Sequence, residues 1–368
     1  MAHNAFTTDG KGRFTALDVL RGLTLAGMLV VNNPGSWSHV YAPLLHADFN
    51  GLTPTDLVFP FFMFIMGYSM FLSLKKFVAG ADRGGAVRKV VDRTLKIFFL
   101  GLAINCLSMT VFRGFDIGQL RILGVLQRLA LSYGAAALIV LYVRNLWALL
   151  CGVVAVLVGY GCLLAFGNGY ALDPSNIVAI VDRAVLGEGH MYKGDGFPFD
   201  PEGLLSTLPC VCHVILGYVV AKLTSALPRS SRSLRLIAIG VALAAVAVAC
   251  DQCGVFFNKK IWSPSFVLVT CGLGSMLLGC ADFLLRGNVM ERLTMPFKVM
   301  GMNCIAVFFI SDMLAIFLGG MGWSGLIFQA LQGAVDPRLA SLVSALVFLL
   351  VNLGIAWLLY WKRIFIKL

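Results

Sequence analysis

A histidine and three further polar side chains lie where a long apolar segment begins, in the stretch LLHADFNGLTPTDLVFPFFMFIMG at residues 44–67. Histidine side chains in model peptides have a pKa of about 6.5, so a histidine such as His46 is a residue type that can exchange protons near neutral pH. Asp48 and Asn50 follow it, and Asp56 ends the pattern TPTD, which is typical of a capped helix N-terminus. Asp56 is therefore predicted to be structural, whereas His46 lies outside the helix as a candidate for acid–base chemistry.

The composition of the chain excludes a soluble globular protein. Its 368 residues are 59% hydrophobic and 13% charged, with a mean hydropathy of +0.87. That leaves too little polar surface to cover soluble domains of this size, so the bilayer is the predicted solvent. The net charge of +11 does not indicate nucleic-acid binding, because the basic residues form short strips between apolar segments.

Ten apolar windows are long enough to span the membrane as helices. They run over residues 17–33, 54–74, 94–111, 121–143, 146–166, 204–223, 234–250, 264–285, 297–318 and 339–361. Their length and lack of alternation favour helices over barrel strands. We therefore predict an all-α polytopic membrane protein that forms a single domain over residues 1–368, with one long outer connection at 167–203.

The distribution of basic residues predicts the orientation of these spans. One set of alternate connections carries twenty Lys and Arg residues and the other set carries seven. By the positive-inside rule both termini are cytoplasmic, and the connection that contains His46 faces outward. The sequence contains no Asn-x-Ser/Thr acceptor, which favours a bacterial inner membrane over a glycosylating compartment.

The cysteines do not predict a disulfide framework or a metal site. Nearly all ten lie inside predicted helices. Cys210 and Cys212, in PCVCH with His213, would project about 200° apart on a helix, so they could not readily bind one ion. No metal is therefore predicted.

Several polar residues lie within the apolar windows, where they are costly and informative. Asp18 and Arg21 are spaced to pair on one face of the first helix. Gln127 and Arg128 fall inside the fourth window, and an arginine there requires a partner, a wet cavity or an anionic ligand. Asn303 lies in the ninth window, where hydrogen bonding between helices is the ordinary role.

Six sequence blocks together resemble the transmembrane heparan-α-glucosaminide N-acetyltransferase family, including its bacterial NagX-like members. The blocks, spread over residues 14–361, are LDVLRGLTLAGMLVVNN, HADFNGLTPTDLVFPFFMFIMG, GVLQRLALSYG, FDPEGLL, NKKIWSPSF and GMNCI. The resemblance implies transfer of an acetyl group from cytosolic acetyl-CoA to the amino group of a glucosamine on the far side of the membrane. It also implies that His46 is the catalytic histidine, that Asn32 is the nearby asparagine, and that the protein is a homodimer.

The predicted chemistry suits these residue types. An amine that attacks a thioester must lose a proton while an oxyanion develops, so His46 can act as the base and Asn32 as the oxyanion donor. A covalent acetyl-histidine intermediate is an open alternative. We expect Arg128, Gln127 and Asn303 to contact CoA. The residues expected to contact the sugar are Asp48, Asn50, Asp200 and Glu202.

Two other function classes remain open at this point. Ten helices with buried polar groups would also describe an amino-sugar transporter. Against a transporter, no repeat relates the two halves of the sequence and no paired broken helices are evident. A structural membrane scaffold would leave the outer histidine and the buried Arg128 without a role.

Overall fold

The computed structural model describes residues 14–79, 83–285 and 288–366. These ranges form α-helices and short 3-10 turns, with one isolated β-bridge and no sheet. The α-helices are α1 (Thr15–Asn32), α2 (Val58–Ala79), α3 (Arg83–Arg113), α4 (Val125–Tyr142), α5 (Leu146–Phe166), α6 (Ile177–Leu186), α7 (Thr207–Thr224), α8 (Arg229–Gln252), α9 (Pro264–Leu284), α10 (Asn288–Leu293), α11 (Met295–Met302), α12 (Cys304–Gly320), α13 (Leu326–Leu331) and α14 (Pro337–Trp361).

The membrane-spanning helices match the predicted windows. In the described ranges nine spans are long and apolar enough to cross a bilayer, and the bent pair α11 and α12 makes a tenth. The prediction of an all-α polytopic membrane protein is therefore confirmed. Helices such as α3, α8 and α14 bury only 11–22% of their apolar windows inside the protein, as expected of helices whose apolar surface faces lipid.

The prediction that the ninth window is one continuous helix is wrong. α11 and α12 meet at Asn303 with a bend of 86°, and the backbone of Asn303 is not helical. The side chain of Asn303 donates to the carbonyl of Ile364 (2.9 Å) and accepts from the amide of Ile366 (3.0 Å). Asn303 therefore bonds to the C-terminal segment of its own chain, and the break is supported by hydrogen bonds within the protein.

Successive spans alternate in direction, so five connections come together at one end of the bundle, here called the His46 end. These connections are residues 33–57, 114–124, 167–206, 253–263 and 321–336. Backbone hydrogen bonds join them, for example from the amide of Gly51 to the carbonyl of Phe257 (2.7 Å). α1 begins and α14 ends at the opposite end of the bundle.

The helix that begins beside His46 is held by close packing against α7. At Gly67 of α2 an added Cβ would lie 2.0 Å from the carbonyl oxygen of Val214, and at Gly217 of α7 it would lie 2.4 Å from that of Phe64. Only glycine permits such an approach, which is typical of membrane helix pairs that pack through small residues. This contact fixes α2 against α7, so both helices present their first turns at the His46 end.

The long connection between α5 and α7 is folded, and it contains the short helix α6. Asn176 caps α6 by accepting from the amide of Val178 (2.9 Å). Asp182 of α6 accepts from the amides of Leu204 and Leu205 (2.9 and 3.0 Å). This second contact ties α6 to the segment that leads into α7.

A buried ion pair closes the same connection onto the 114–124 segment. The side chain of Asp200 is fully buried and accepts a hydrogen bond from Nε of Arg121 (2.9 Å). It also accepts from the backbone amides of Tyr192 (3.2 Å) and Glu202 (2.9 Å). Arg121 also contacts Glu202 at 2.6 Å. Burial alone would lower the pKa of Arg121, but its hydrogen bond to Asp200 and the charge of Glu202 raise it.

We predict that Asp200→Asn destabilises the protein by about 2–4 kcal/mol, because an amide NH2 replaces one of the two buried oxygens that accept from Arg121 and from backbone amides. Thermal unfolding of the detergent-solubilised variant should show a lowered Tm. Asp48→Asn is the matched control, since Asp48 is exposed on the surface of the same end and should leave Tm unchanged. Equal Tm values for Asp200→Asn and wild type would show that this ion pair does not stabilise the connection.

Candidate active site

The side chain of Asp56 organises the turn that leads into α2. A 3-10 turn at Pro54–Leu57 precedes the helix, and Oδ2 of Asp56 accepts from the amides of Ala47 and Thr53, both at 3.1 Å. The hydroxyl of Thr53 lies 3.0 Å from the same oxygen. The predicted capping role of Asp56 is therefore confirmed.

The other carboxylate oxygen of Asp56 binds the predicted catalytic histidine. Oδ1 lies 2.7 Å from Nδ1 of His46, and the Asp56 side chain is only 2% exposed whereas that of His46 is 45% exposed. An ionised carboxylate can only accept, so Nδ1 carries the proton and Nε2 has a free lone pair. The contact thus gives an oriented imidazole whose basic nitrogen is available for a reaction.

A lysine from a distant part of the sequence lies against the same imidazole. Nζ of Lys259 is 3.2 Å from both ring nitrogens of His46 and 3.9 Å from Oδ1 of Asp56. Burial lowers the pKa of Lys259 from its usual range, while the charges of Asp56 and Glu202 act in the opposite direction. His46, Asp56 and Lys259 form a cluster, called here the histidine cluster.

Asparagine contacts hold the segment that carries Lys259 beside the segment that carries His46. Asn50 donates to the carbonyl of Tyr170 (3.0 Å) and accepts from Nδ2 of the buried Asn258 (3.0 Å). Asn258 in turn accepts from the amide of Ile261 (3.1 Å). Asn50 thus links three connections of the His46 end.

Glu202 extends the charged surface around the histidine cluster. Burial would raise the pKa of Glu202, but the nearby charges of Arg121, Arg128 and Lys259 hold it below its usual value. Glu202 is therefore an ionised carboxylate with an arginine on one side and the lysine of the histidine cluster within electrostatic range. Such a group can attract a protonated amine toward the cluster.

Arg128 lies beneath this surface, in the first turn of α4. Arg128 is only 1% exposed, and its Nη2 donates to the carbonyl of Gly203 (3.1 Å) and to the hydroxyl of Ser206. Its guanidinium carbon lies 5.3 Å from the ring centroid of Trp262. Nε and Nη1 of Arg128 and Nε2 of Gln127 are buried without a hydrogen-bond partner among the described residues. Three buried donors are therefore free for a polar ligand or water.

A large cavity opens toward the other end of the bundle. Its volume is about 430 Å³, and four basic side chains and one acidic side chain are among its lining residues, namely Arg21, Lys89, Arg93, Lys96 and Asp92. Arg21 is paired with Asp18 (2.9 Å), as predicted, and also donates to Ser69 (2.7 Å). The excess of basic groups makes this cavity suitable for an anion.

Not every predicted site residue joins the histidine cluster. Asn32 is exposed at the end of α1, and its side chain makes no hydrogen bond within the described part of the chain. Asp48 is exposed, and Asp200 is occupied by Arg121 and two backbone amides. Asn303 is bonded to the C-terminal segment, whose Ile366 lines the basic cavity.

The sequence did not indicate that Asp56 and Lys259 lie beside His46. Asp56 was assigned only to the helix cap, although a turn between residues 46 and 56 can bring a carboxylate back to the histidine. Lys259 lies 213 positions from His46. Its only sequence signal was a pair of lysines in a connection predicted to face the same side as His46.

Comparison with known proteins identifies the family of this chain. The family described as heparan-alpha-glucosaminide N-acetyltransferase, catalytic, matches residues 13–227, a range that includes His46 and Asp56 but not Lys259. Among similar proteins, the heparan-alpha-glucosaminide N-acetyltransferase of Homo sapiens is 26% identical over 355 residues, which cover 80% of this chain and 52% of the human protein. That of Mus musculus is 26% identical over 314 residues, which cover 69% of this chain and 46% of the mouse protein. The chain thus spans about half the length of the curated relatives it matches. Because the family match extends over more than half of the chain, this protein belongs to the heparan-alpha-glucosaminide N-acetyltransferase family.

Proposed function

We propose that this protein is a membrane-spanning acetyltransferase that moves an acetyl group from cytosolic acetyl-CoA to the amino group of a glucosamine-type sugar at the His46 end. The His46–Asp56 contact carries this proposal, because it presents a basic imidazole nitrogen at the polar end of a membrane bundle. Membership of the acetyltransferase family supports the reaction class. The excess of basic residues in the opposite connections supports a cytoplasmic location for the other end.

The basic cavity supports entry of acetyl-CoA from that other end. CoA carries phosphate groups, and Arg21, Lys89, Arg93 and Lys96 can neutralise them. On α2 the cavity lining extends from Leu74 to Phe62, which lies one turn after Val58 and so about 6 Å along the helix axis. A thioester at the end of a flexible arm would therefore be directed toward the first turn of α2, where the histidine cluster lies.

The proposed reaction forms a C–N bond and breaks the C–S bond of the thioester. Nε2 of His46 takes the proton from the attacking amine, and Asp56 stabilises the imidazolium that results. The proton then passes to the departing thiolate of CoA, which restores neutral His46. In the acetyl-histidine alternative, Nε2 attacks the thioester first and the amine attacks the acetylated ring; both routes use the same Nε2 lone pair.

The remaining site residues are parts of this proposal, and the contacts of Asp200 and Asn303 change the roles predicted for these two. Near the sugar we place Asp48, Asn50 and Glu202, with Asp200 positioning Arg121 and Glu202 behind them. Arg128 and Gln127, with their free donors, would contact the inner part of CoA, and Asn303 would act through the C-terminal segment that it holds at the cavity. Asn32 stays proposed as an oxyanion donor. We further propose a single catalytic domain over residues 1–368, a homodimer in a bacterial inner membrane, and no metal or nucleic-acid partner.

The first test removes the imidazole. His46→Ala should lower the turnover of acetyl transfer to glucosamine by at least about 100-fold, because the base or nucleophile is lost, while CoA binding stays near that of wild type. His39→Ala is the matched control, since His39 lies in the same connection and stacks on Phe328, 5.6 Å between ring centroids. The measurement is transfer of labelled acetyl from acetyl-CoA by the purified protein.

A folded His46→Ala variant that acetylates glucosamine within a few-fold of wild type would contradict the catalytic assignment. Glucosamine uptake by reconstituted wild-type protein without acetylation would instead support the transporter alternative.

The second test concerns the donor cavity. Arg93 is half-buried in the cavity, with its guanidinium 4.6 Å from the ring centroid of Tyr133. Arg93→Gln should weaken CoA binding about tenfold or more, because one charge-assisted contact to a phosphate is lost. Arg88→Gln is the control: Arg88 is exposed on the same helix and does not line the cavity. Calorimetric titration with CoA measures both variants, and equal weakening by the two would show a general charge effect without a site at Arg93.

A further inference from the structure

Lys259 contacts His46, the candidate catalytic residue, and has no role in the reaction described above. We propose that Lys259 takes part in the reaction: its ammonium opposes a positive charge on the imidazole of His46 and lies where the acetyl oxygen gains negative charge. The proposal rests on the acetyl transfer proposed above and adds a residue outside the range matched by the family.

The geometry of the contact shows how Lys259 meets the ring. Its Nζ is 3.2 Å from Nδ1 and 3.2 Å from Nε2, whereas Nδ1 already donates in the ring plane to Asp56. An atom in the ring plane at these two distances would collide with Cε1. The ammonium therefore lies over the face of the ring, and the in-plane lone pair of Nε2 stays open.

An ammonium over the ring opposes a second positive charge on it. Protonation of His46 would place an imidazolium in contact with Lys259, which is unfavourable even at the screening typical of a protein surface. Asp56 acts in the opposite direction, because its carboxylate favours the imidazolium. The two charges therefore act on the ring in opposite directions, and removal of the Lys259 charge would leave Asp56 unopposed.

Burial lowers the pKa of Lys259, and the charges around it act in both directions. Asp56 and Glu202 stabilise its charge, while Arg128 and the adjacent Lys260 oppose it. Lys260 is itself paired with Asp195 on the neighbouring connection. The side chain of Lys259 is 21% exposed, so it is partly removed from water but still open to a ligand.

The same position suits the developing oxyanion. When a bond forms to the acetyl carbon beside Nε2, the electron pair of the C=O bond moves to oxygen, and that oxygen can lie above or below the ring plane. On the Lys259 side an N–H of the ammonium can donate to it, and the oxyanion returns its electron pair to carbon as the C–S bond breaks. Asn32, the predicted donor, makes no hydrogen bond to the histidine cluster in the described structure.

The test reads the ionisation of His46 without using acetyl transfer. Diethylpyrocarbonate acylates neutral imidazole, so its rate of reaction at the peptide containing His46, followed by mass spectrometry from pH 5 to 8, reports the titration midpoint. In Lys259→Met the midpoint should rise by about one pH unit or more, because Asp56 then acts unopposed. Lys259→Arg should stay close to wild type, and Lys260→Met, which removes the same charge one residue away, should shift by less than about half a unit.

An unchanged His46 midpoint in folded Lys259→Met would overturn the proposal and leave Lys259 as a salt-bridge partner of Asp56. Lys259→Gln serves the same purpose if the methionine variant does not fold. Turnover gives the second readout: the methionine variant should lower kcat by about 10- to 100-fold with little change in KM for glucosamine. An unaltered kcat would overturn the oxyanion role. Absence of acetyl transfer by wild type would reject the proposed function, while the titration shift would still test the contact.

Discussion

The whole arrangement depends on one buried carboxylate, that of Asp56. One of its oxygens caps the first turn of α2 through the amides of Ala47 and Thr53, and the other holds Nδ1 of His46. A buried carboxylate is stable only when its lone pairs are occupied, so the fold of the turn and the orientation of the histidine cannot be separated. This explains why a histidine stays at the start of an apolar helix: the capping residue of that helix is also its hydrogen-bond partner.

The bilayer imposes the second constraint, because a polar group in a span needs an internal partner or a ligand. Asn303, between α11 and α12, meets this requirement through hydrogen bonds to the backbone of Ile364 and Ile366. Arg128 is only partly satisfied, since its Nε and Nη1 have no hydrogen-bond partner among the described residues. α2 and α4 both run from the His46 end to the basic cavity, so these two helices give a direct physical link between the proposed acceptor and donor regions.

Patterns within short stretches of sequence predict much of the architecture, whereas the rest depends on contacts between residues that are far apart in the sequence. Hydrophobic windows of sufficient length predicted the spans, the TPTD pattern predicted the cap at Asp56, and spacing predicted the Asp18–Arg21 pair. The break at Asn303 was missed because its apolar neighbours fit one continuous helix, whereas hydrogen bonds to Ile364 and Ile366 stabilise the bent form. Lys259 was missed as a partner of His46 because that contact arises only when the connections of the His46 end pack together.

Transfer across the membrane is the central claim, and vesicles with known sidedness test it most directly. The purified protein is reconstituted into liposomes that contain glucosamine only in the lumen, and acetyl-labelled acetyl-CoA is added only outside. The fraction of protein in each orientation is measured by protease cleavage of a terminal tag. We predict labelled N-acetylglucosamine in the lumen, in proportion to the protein whose basic cavity faces outward, and a rate at least about 100-fold lower with His46→Ala. Acetylation only when donor and acceptor are on the same side of intact vesicles would contradict the account.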